Sequence, residues 1–315
     1  MVVLGGVTRL TRSGLSMVDW DPIMGIVPPL TEAQWQHAFE RYRQFPEYRE
    51  VNIGMDLEGF KRIFYVEYAH RVLGRLIGLA FLLPFLYFLV RRRIPPGLAP
   101  KLAAIFVLGG LQGLLGWYMV RSGLADDPHV SPYRLTAHLT MAVLIYGYTL
   151  WVALGLLFPR RSAPAPGAGM ATTLSALTLL MIMSGGLVAG TRAGFAYSTW
   201  PLMGDHFAPP GLLLLEPWYR NVFENIVTVQ FDHRLLAYVL FAGVVVFFWR
   251  HGLRAPTPRA RTGAWLWQIA ILVQLGLGIS TLLLHVPVPL AAAHQGGALL
   301  VLAAALFTTH ALRHP

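Results

Sequence analysis

Four histidines carry the chemical content of this sequence: His70, His138, His233 and His294. Each sits near one end of a long apolar block, and each recurs. EYAHRVLGRLIG around His70 matches QFDHRLLAYVL around His233, and RLTAHLTMA around His138 matches LAAAHQGGA around His294. The offsets are 163 and 156 residues; between them, QGLLGWYMV from Gln112 matches QLGLGISTLL from Gln274 at 162. A polar side chain inside a membrane helix is costly and turns toward the bundle interior. Two imidazoles facing each other from different helices provide what a heme iron needs as axial ligands, one on each side of its ring. Two such pairs make two heme-sized sites, one per half. A lone intramembrane histidine is often only a hydrogen-bonded packing residue; four at matched positions favour ligation. The chain has no cysteine, which excludes thiolate metal sites, iron–sulfur clusters, disulfides and covalent heme attachment.

Charged neighbours add to the pattern. Arg71 and Arg234 each follow a ligand candidate. An arginine can grip a heme propionate through two parallel hydrogen bonds, or reach to lipid headgroups with its stem buried. Arg75 and Arg134 are weaker candidates. Three residues before His70 stands Glu67; the matching position before His233 is the neutral Gln230. Residues three apart share a helix face, so Glu67 and His70 face the same space. A carboxylate beside one site alone suggests that the first site does chemistry and the second stores or transfers electrons. The bland alternative pairs Glu67 with Arg71 or Lys61. Asp232 adjoins His233 and need not share its face. His37, His129, His206, His251, His285, His310 and His314 have no repeat partners and read as surface residues, His285 less clearly because it lies near the second site.

The elements that must position these groups are membrane helices. Of the 315 residues 55% are hydrophobic and 13% charged, too little charge for a soluble domain of this length. A bilayer core about 30 Å thick takes about 20 apolar residues per helix. Seven blocks qualify, roughly 66–90, 101–120, 135–158, 170–190, 232–249, 264–284 and 290–311. The net charge of +10 could suggest nucleic acid, but its distribution is topological. Loops 91–100, 159–169 and 250–263 hold Arg91, Arg92, Arg93, Arg160, Arg161, Arg250, Arg254, Arg259 and Arg261 and no acidic residue, so the positive-inside rule places them in the cytoplasm. Segments 8–65, 121–134, 191–231 and 285–289 then lie outside. The repeat is parallel, with a pseudo-two-fold axis along the membrane normal. The expected fold is an all-α polytopic membrane protein of two pseudo-symmetric four-helix bundles, residues 1–165 and 166–315. GTRAGFAYSTWP after the fourth block resembles GGVTRLTRSGLSMVDW near the start. By the repeat, a whole helix should precede Gly5, and we expect the true start to lie upstream.

The outer segment 8–65 is rich in aromatics, among them Trp20, Trp35, Phe39, Tyr42, Phe45, Tyr48 and Phe60. TEAQWQHAFERYRQF has helical spacing of its apolar residues, with Thr31 as N-cap and Gln34 three later. It predicts a short amphipathic helix over the mouth of the first site, packed on the membrane surface or acting as a lid.

GGVTRLTRSGLSMVDW, ERYRQFPEY, EYAHRVLGRLIG, QGLLGWYMVRSGL, RNVFEN with QFDHR, and LGISTLL followed by VPLAAAHQ together resemble the heme A synthase family, in its cysteine-free proteobacterial and mitochondrial form. The resemblance covers nearly the whole chain. It implies eight transmembrane helices, the first one truncated here, and oxidation of a ring methyl of heme O to the formyl of heme A for terminal oxidase assembly. It also implies heme B in the C-terminal half, ligated by His233 and His294, and substrate heme O between His70 and His138 with Glu67 as catalytic carboxylate. The expected location is a bacterial inner membrane, with the mitochondrial inner membrane as alternative. Expected partners are the lipid bilayer, heme O with heme O synthase as its source, and an electron acceptor that the residues do not identify. Nucleic acid is not expected, and self-association is left open. The rival classes are a diheme b-type electron-transfer cytochrome and a transporter. The Glu67/Gln230 difference speaks against the first, and histidines at one membrane edge rather than the midplane speak against the second.

Overall fold

The computed structural model describes residues 1–18, 26–124, 128–159 and 163–315; Trp20, Arg160 and Arg161 lie outside them. Ten α-helices run through the described residues: α1 Val2–Leu10, α2 Glu32–Tyr42, α3 Leu57–Val90, α4 Ala99–Gly123, α5 Pro132–Leu157, α6 Ala168–Thr191, α7 Asn221–Glu224, α8 Ile226–Phe247, α9 Pro258–Leu283 and α10 Val288–Arg313. Seven of them are long and apolar enough to cross a membrane: α3, α4, α5, α6, α8 with its continuation to Gly252, α9 and α10. These are the seven blocks read from the sequence, each longer at one or both ends. The chain is an all-α, multi-pass membrane protein.

Two compact units divide within α5, Met1–His138 and Leu139–Pro315. The body of α5 joins the second unit because Val143 packs with Ile182 and Leu302. The halves 1–165 and 166–315 rest on sequence correspondence and stay a proposal about function.

In the first unit, α2 forms as its sequence dictates. Thr31 Oγ1 accepts the Gln34 N–H at 3.3 Å and Gln34 Oε1 accepts the Thr31 N–H at 3.1 Å, a complete capping box. Trp35, Phe39 and Tyr42, spaced four and three apart, share its buried face with Phe60 and Phe64 of α3. Tyr42 and Phe60 stack at 5.2 Å, and Trp35 meets Phe64 edge-on at 5.0 Å. Asp56 caps α3 by accepting the Gly59 N–H at 2.8 Å. Its 34 residues reach about 51 Å at 1.5 Å per residue, well beyond the bilayer core. Residues 57–65 continue the helix outward because their aromatic face has α2 to pack on. His70 therefore lies nearly four turns along α3, not in its first turn or two as the block 66–90 implied.

The second unit closes a ring of four helices, α6 on α8, α8 on α9, α9 on α10 and α10 on α6. Lipid tails give no hydrophobic drive for this, so small residues and close backbones must. Ala168, Ala171, Ser175, Thr178, Ile182 and Gly186 form one buried stripe along α6, and Ser175 and Thr309 share a hydrogen bond of 2.9 Å. Gly263 allows Thr308 so near that an added Cβ would lie 2.8 Å from its Oγ1. Trp267, Phe247 and Leu312 fill the core at the end opposite the histidines.

Candidate functional site

Both units assemble the same constellation. His70 on α3 is brought together with His138 on α5, and His233 on α8 with His294 on α10. The members of each pair lie within electrostatic reach of one another. Every imidazole stands against a glycine of a neighbouring helix. A Cβ added to Gly5, Gly116, Gly185 or Gly278 would come within 3.1, 2.9, 3.3 and 2.9 Å of the rings of His70, His138, His233 and His294 in turn. Any side chain at these places would push its histidine aside.

Two glutamines complete the match. The Gln112 amide nitrogen lies 3.1 Å from His138 Nδ1 and donates to the His138 carbonyl at 3.0 Å. Gln274 does the same to His294 at 3.1 and 2.9 Å. The Oε1 atoms of both are buried with no hydrogen-bond partner among the described residues, a state proteins seldom tolerate. The donor set thus offers two imidazole nitrogens per unit, with faces cleared by glycine and an amide oxygen still to be satisfied. No group of three or more His, Cys, Asp or Glu among the described residues could hold a bare metal ion. Two protein ligands with four left to a macrocycle is the arrangement a heme takes, so the residues present fit that group in both units.

Beside these shared features the units differ. Glu67 is buried, and its carboxylate accepts four hydrogen bonds. Arg71 donates twice to Oε1, from Nη2 at 2.6 Å and Nε at 3.1 Å, while the Ser16 hydroxyl and the Met17 N–H reach Oε2 at 2.8 Å each. Arg71 also donates to the Met17 carbonyl at 2.8 Å. Of the two pairings foreseen for Glu67 the one with Arg71 forms; Lys61 pairs with Glu58 at 2.6 Å instead. At the matching place in the second unit Gln230 and Arg234 both donate to the Tyr197 carbonyl at 3.0 Å, and Arg234 Nη1 also reaches the Thr199 carbonyl at 2.8 Å. Both arginines pin the chain that follows α1 or α6. Of the two, Arg71 has its charge met by a carboxylate; among the described residues the buried Nε of Arg234 has no hydrogen-bond partner.

Arg134 stacks 3.7 Å over Tyr118 and donates to its carbonyl at 2.9 Å. Arg75 is half-buried on α3, and Asp232 half-buried on α8. His37, His129, His206 and His285 are exposed, His285 in the turn after α9. His310 departs from its surface reading: it is 1% exposed, enclosed by Trp151 at 5.0 Å and by His314, one turn on, at 4.4 Å.

The sequence reading missed the four glycines and the role of the glutamines. Their signal was present: Gln112 and Gly116, like Gln274 and Gly278, are four apart and so share a helix face. It also missed Glu47, which lies buried under α2. Burial, then the charge of Glu67, push its carboxyl up to about 8. Tyr42 donates to it at 3.3 Å and accepts from Asn52 at 2.7 Å, and burial raises the Tyr42 phenol above its usual value.

The family model described as cytochrome oxidase assembly protein, COX15-CtaA, matches residues 1–306. A protein named heme A synthase from Nitrosospira multiformis is 57% identical over 319 residues, covering 99% of this chain and 89% of that one. Its namesakes from Nitrosomonas eutropha and Parvibaculum lavamentivorans are 51% and 49% identical, each over 99% of this chain and 89% and 90% of their own length. The resemblance read from the motifs is borne out. With two matched histidine pairs in a seven-span helical frame and a family model matched along almost its whole length, the chain belongs to the COX15-CtaA family of cytochrome oxidase assembly proteins.

Proposed function

We propose that this protein is a heme A synthase, oxidising a ring methyl group of heme O to the formyl group of heme A for terminal oxidase assembly. The observation that carries the reading is the pair of glycine-cleared bis-histidine sites in a chain 57% identical to a protein of that name. His233 and His294 hold heme B, with the uncompensated Arg234 guanidinium as partner for a propionate. The bound heme supplies one-electron redox chemistry. His70 and His138 take the substrate heme O.

Four hydrogen bonds hold the Glu67 carboxylate in place, so its contribution is electrostatic. A fixed negative charge on the His70 face of α3 stabilises positive charge developing at the oxidised carbon. Arg71 and Ser16 hold that carboxylate still, so no reorganisation is needed when charge develops. α2 and its aromatic packing shield the outer stretch of α3 that leads to Glu67. The arginine-rich loops face the cytoplasm of a bacterial cell, the enzyme sits in the inner membrane, and heme O arrives through the bilayer from heme O synthase.

The test is heme extraction and mass analysis from membranes of cells that make heme O but not heme A. Expression of this chain should make heme A appear. Heme B alone, from protein shown to be inserted and folded, replaces the reading with that of a diheme electron-transfer cytochrome.

A further inference from the structure

The chain leaves α1 and α6 through the same sequence, Thr-Arg, and through the same backbone state. Arg12 has φ +54° and Arg192 φ +60°. Setting these in register places Gly5 opposite Gly185 and Leu4 opposite Ser184. The glycines are identical in type and in role. The residues before them are not, and the difference reaches the histidines.

Ser184 Oγ lies 2.9 Å from the Met181 carbonyl and 2.7 Å from His233 Nδ1. A carbonyl can only accept, and a hydroxyl has one proton. Both contacts are hydrogen bonds together only when that proton goes to Met181, Oγ accepts from Nδ1 and Nδ1 carries the ring hydrogen. The tautomer of His233 is thereby fixed, with Nε2 bare and available as a ligand. The ring orientation is fixed with it. Cε1 and Nδ1 are the ring atoms near Gly185, at 3.3 and 3.9 Å from an added Cβ, and Nε2 lies farther off. His70 is turned the other way. Its Nε2 is the atom nearest Gly5, 3.1 Å from an added Cβ, with Cδ2 at 3.6 Å and Cε1 at 4.0 Å. Leu4 offers no side-chain acceptor, and Nε2 is the His70 ring atom nearest α1.

We propose that Ser184 is a positioning residue that makes the second site a permanent one, and that Leu4 leaves the first site exchangeable. His233 is held ready to bind iron, so the heme there stays. His70 must turn to bind, so the heme it takes is held less firmly and is released as product. The inference rests on the functional reading above. A hydrogen bond to the outer ring nitrogen raises the basicity of the ligating nitrogen and orients the ring; loss of such a partner typically weakens binding 10- to 100-fold.

The experiment uses the purified full chain in detergent or nanodiscs. Its readouts are the reduction potential of the retained heme and the rate of heme loss to excess apomyoglobin. In S184A the potential should move positive, because a less basic imidazole stabilises ferric iron less, and loss should quicken about tenfold. S184T keeps the hydroxyl and should match the parent in both. L4S should slow release from the first site. If S184A does not accumulate, S184V against S184T makes the same comparison at equal shape. A parent-like potential and loss rate in S184A, or S184T shifting as far as S184A, overturns the role of Ser184. Unchanged release in L4S overturns the role of Leu4. A parent protein that retains no heme overturns the functional reading itself, which separates the two failures.

Discussion

The two units use one plan and differ in where they are held together. No residue in the most apolar window of α3 is buried, against 28% in α6 and in α10. The second unit draws its cohesion from small residues along α6 and from Trp267 and Phe247 within the ring of helices. The first draws it from outside the span, where Trp35, Phe39 and Tyr42 clamp the outer turns of α3, and from the Glu67–Arg71 pair. A tightly packed unit suits a resident cofactor, and a loosely packed one, braced at its rim, suits a large apolar substrate that must enter and leave.

The comparison can be broken at several points. The largest effect is expected at Glu67. Glu67→Ala leaves Arg71 buried without its carboxylate, a change that costs about 3–5 kcal/mol, and frees Met17 and Ser16. Heme A formation should stall while heme B stays in the second unit, read by pigment extraction; a full yield of heme A removes Glu67 from the mechanism. Gln230→Glu, the reciprocal change, should leave heme A yield near normal. Phe60→Ala comes next. Phe60 is fully buried between Tyr42 and Phe39, and its removal should cost about 3 kcal/mol. Limited proteolysis should then open residues 31–56 and leave the second unit intact; simultaneous loss of both units means that they do not hold separately.

The glycines sharpen the comparison further. Gly278→Ala should reduce retained heme B by about 10- to 100-fold through displacement of a ligand. Gly116→Ala should spare heme B and cut heme A formation instead. Equal loss of heme B in both variants, by pyridine hemochrome assay, contradicts the assignment of resident heme and substrate to different units. The smallest effect belongs to Glu47. Its carboxyl titrates near 8 in the fold against an ordinary 4.5, so the native state binds the proton more tightly than the unfolded chain does. The stability it lends is full below the ordinary value and falls as pH rises through about 8. Hydrogen-exchange protection factors in 31–52, which divide out the intrinsic rise of exchange with pH, should fall from pH 6.5 to 9, and Glu47→Gln should flatten that change.

Much of this was legible in the sequence. The seven spans follow from hydropathy, because a helix alone satisfies its backbone in lipid. The capping box at Thr31 followed from residue spacing, because it joins groups three apart. The four histidines, Glu67 and Gln230 were found because the repeat compares the chain with itself. Less legible were contacts joining separate helices. Gly5 meets His70, and Ser16 meets Glu67, across more than fifty residues, and nothing in local spacing announces either.

The sequence by itself therefore determined the class of the protein, its helices and the matched residues proposed for both sites, since these depend on composition, periodicity and internal repetition. Tertiary structure alone decided which charge is neutralised, which edge of the His70 and His233 rings is turned toward a neighbouring helix, and that the Ser184 hydroxyl meets His233 Nδ1. The physical reason is range. Hydrophobicity and helix formation act between near neighbours in the chain, whereas hydrogen bonds and close approach act between near neighbours in space.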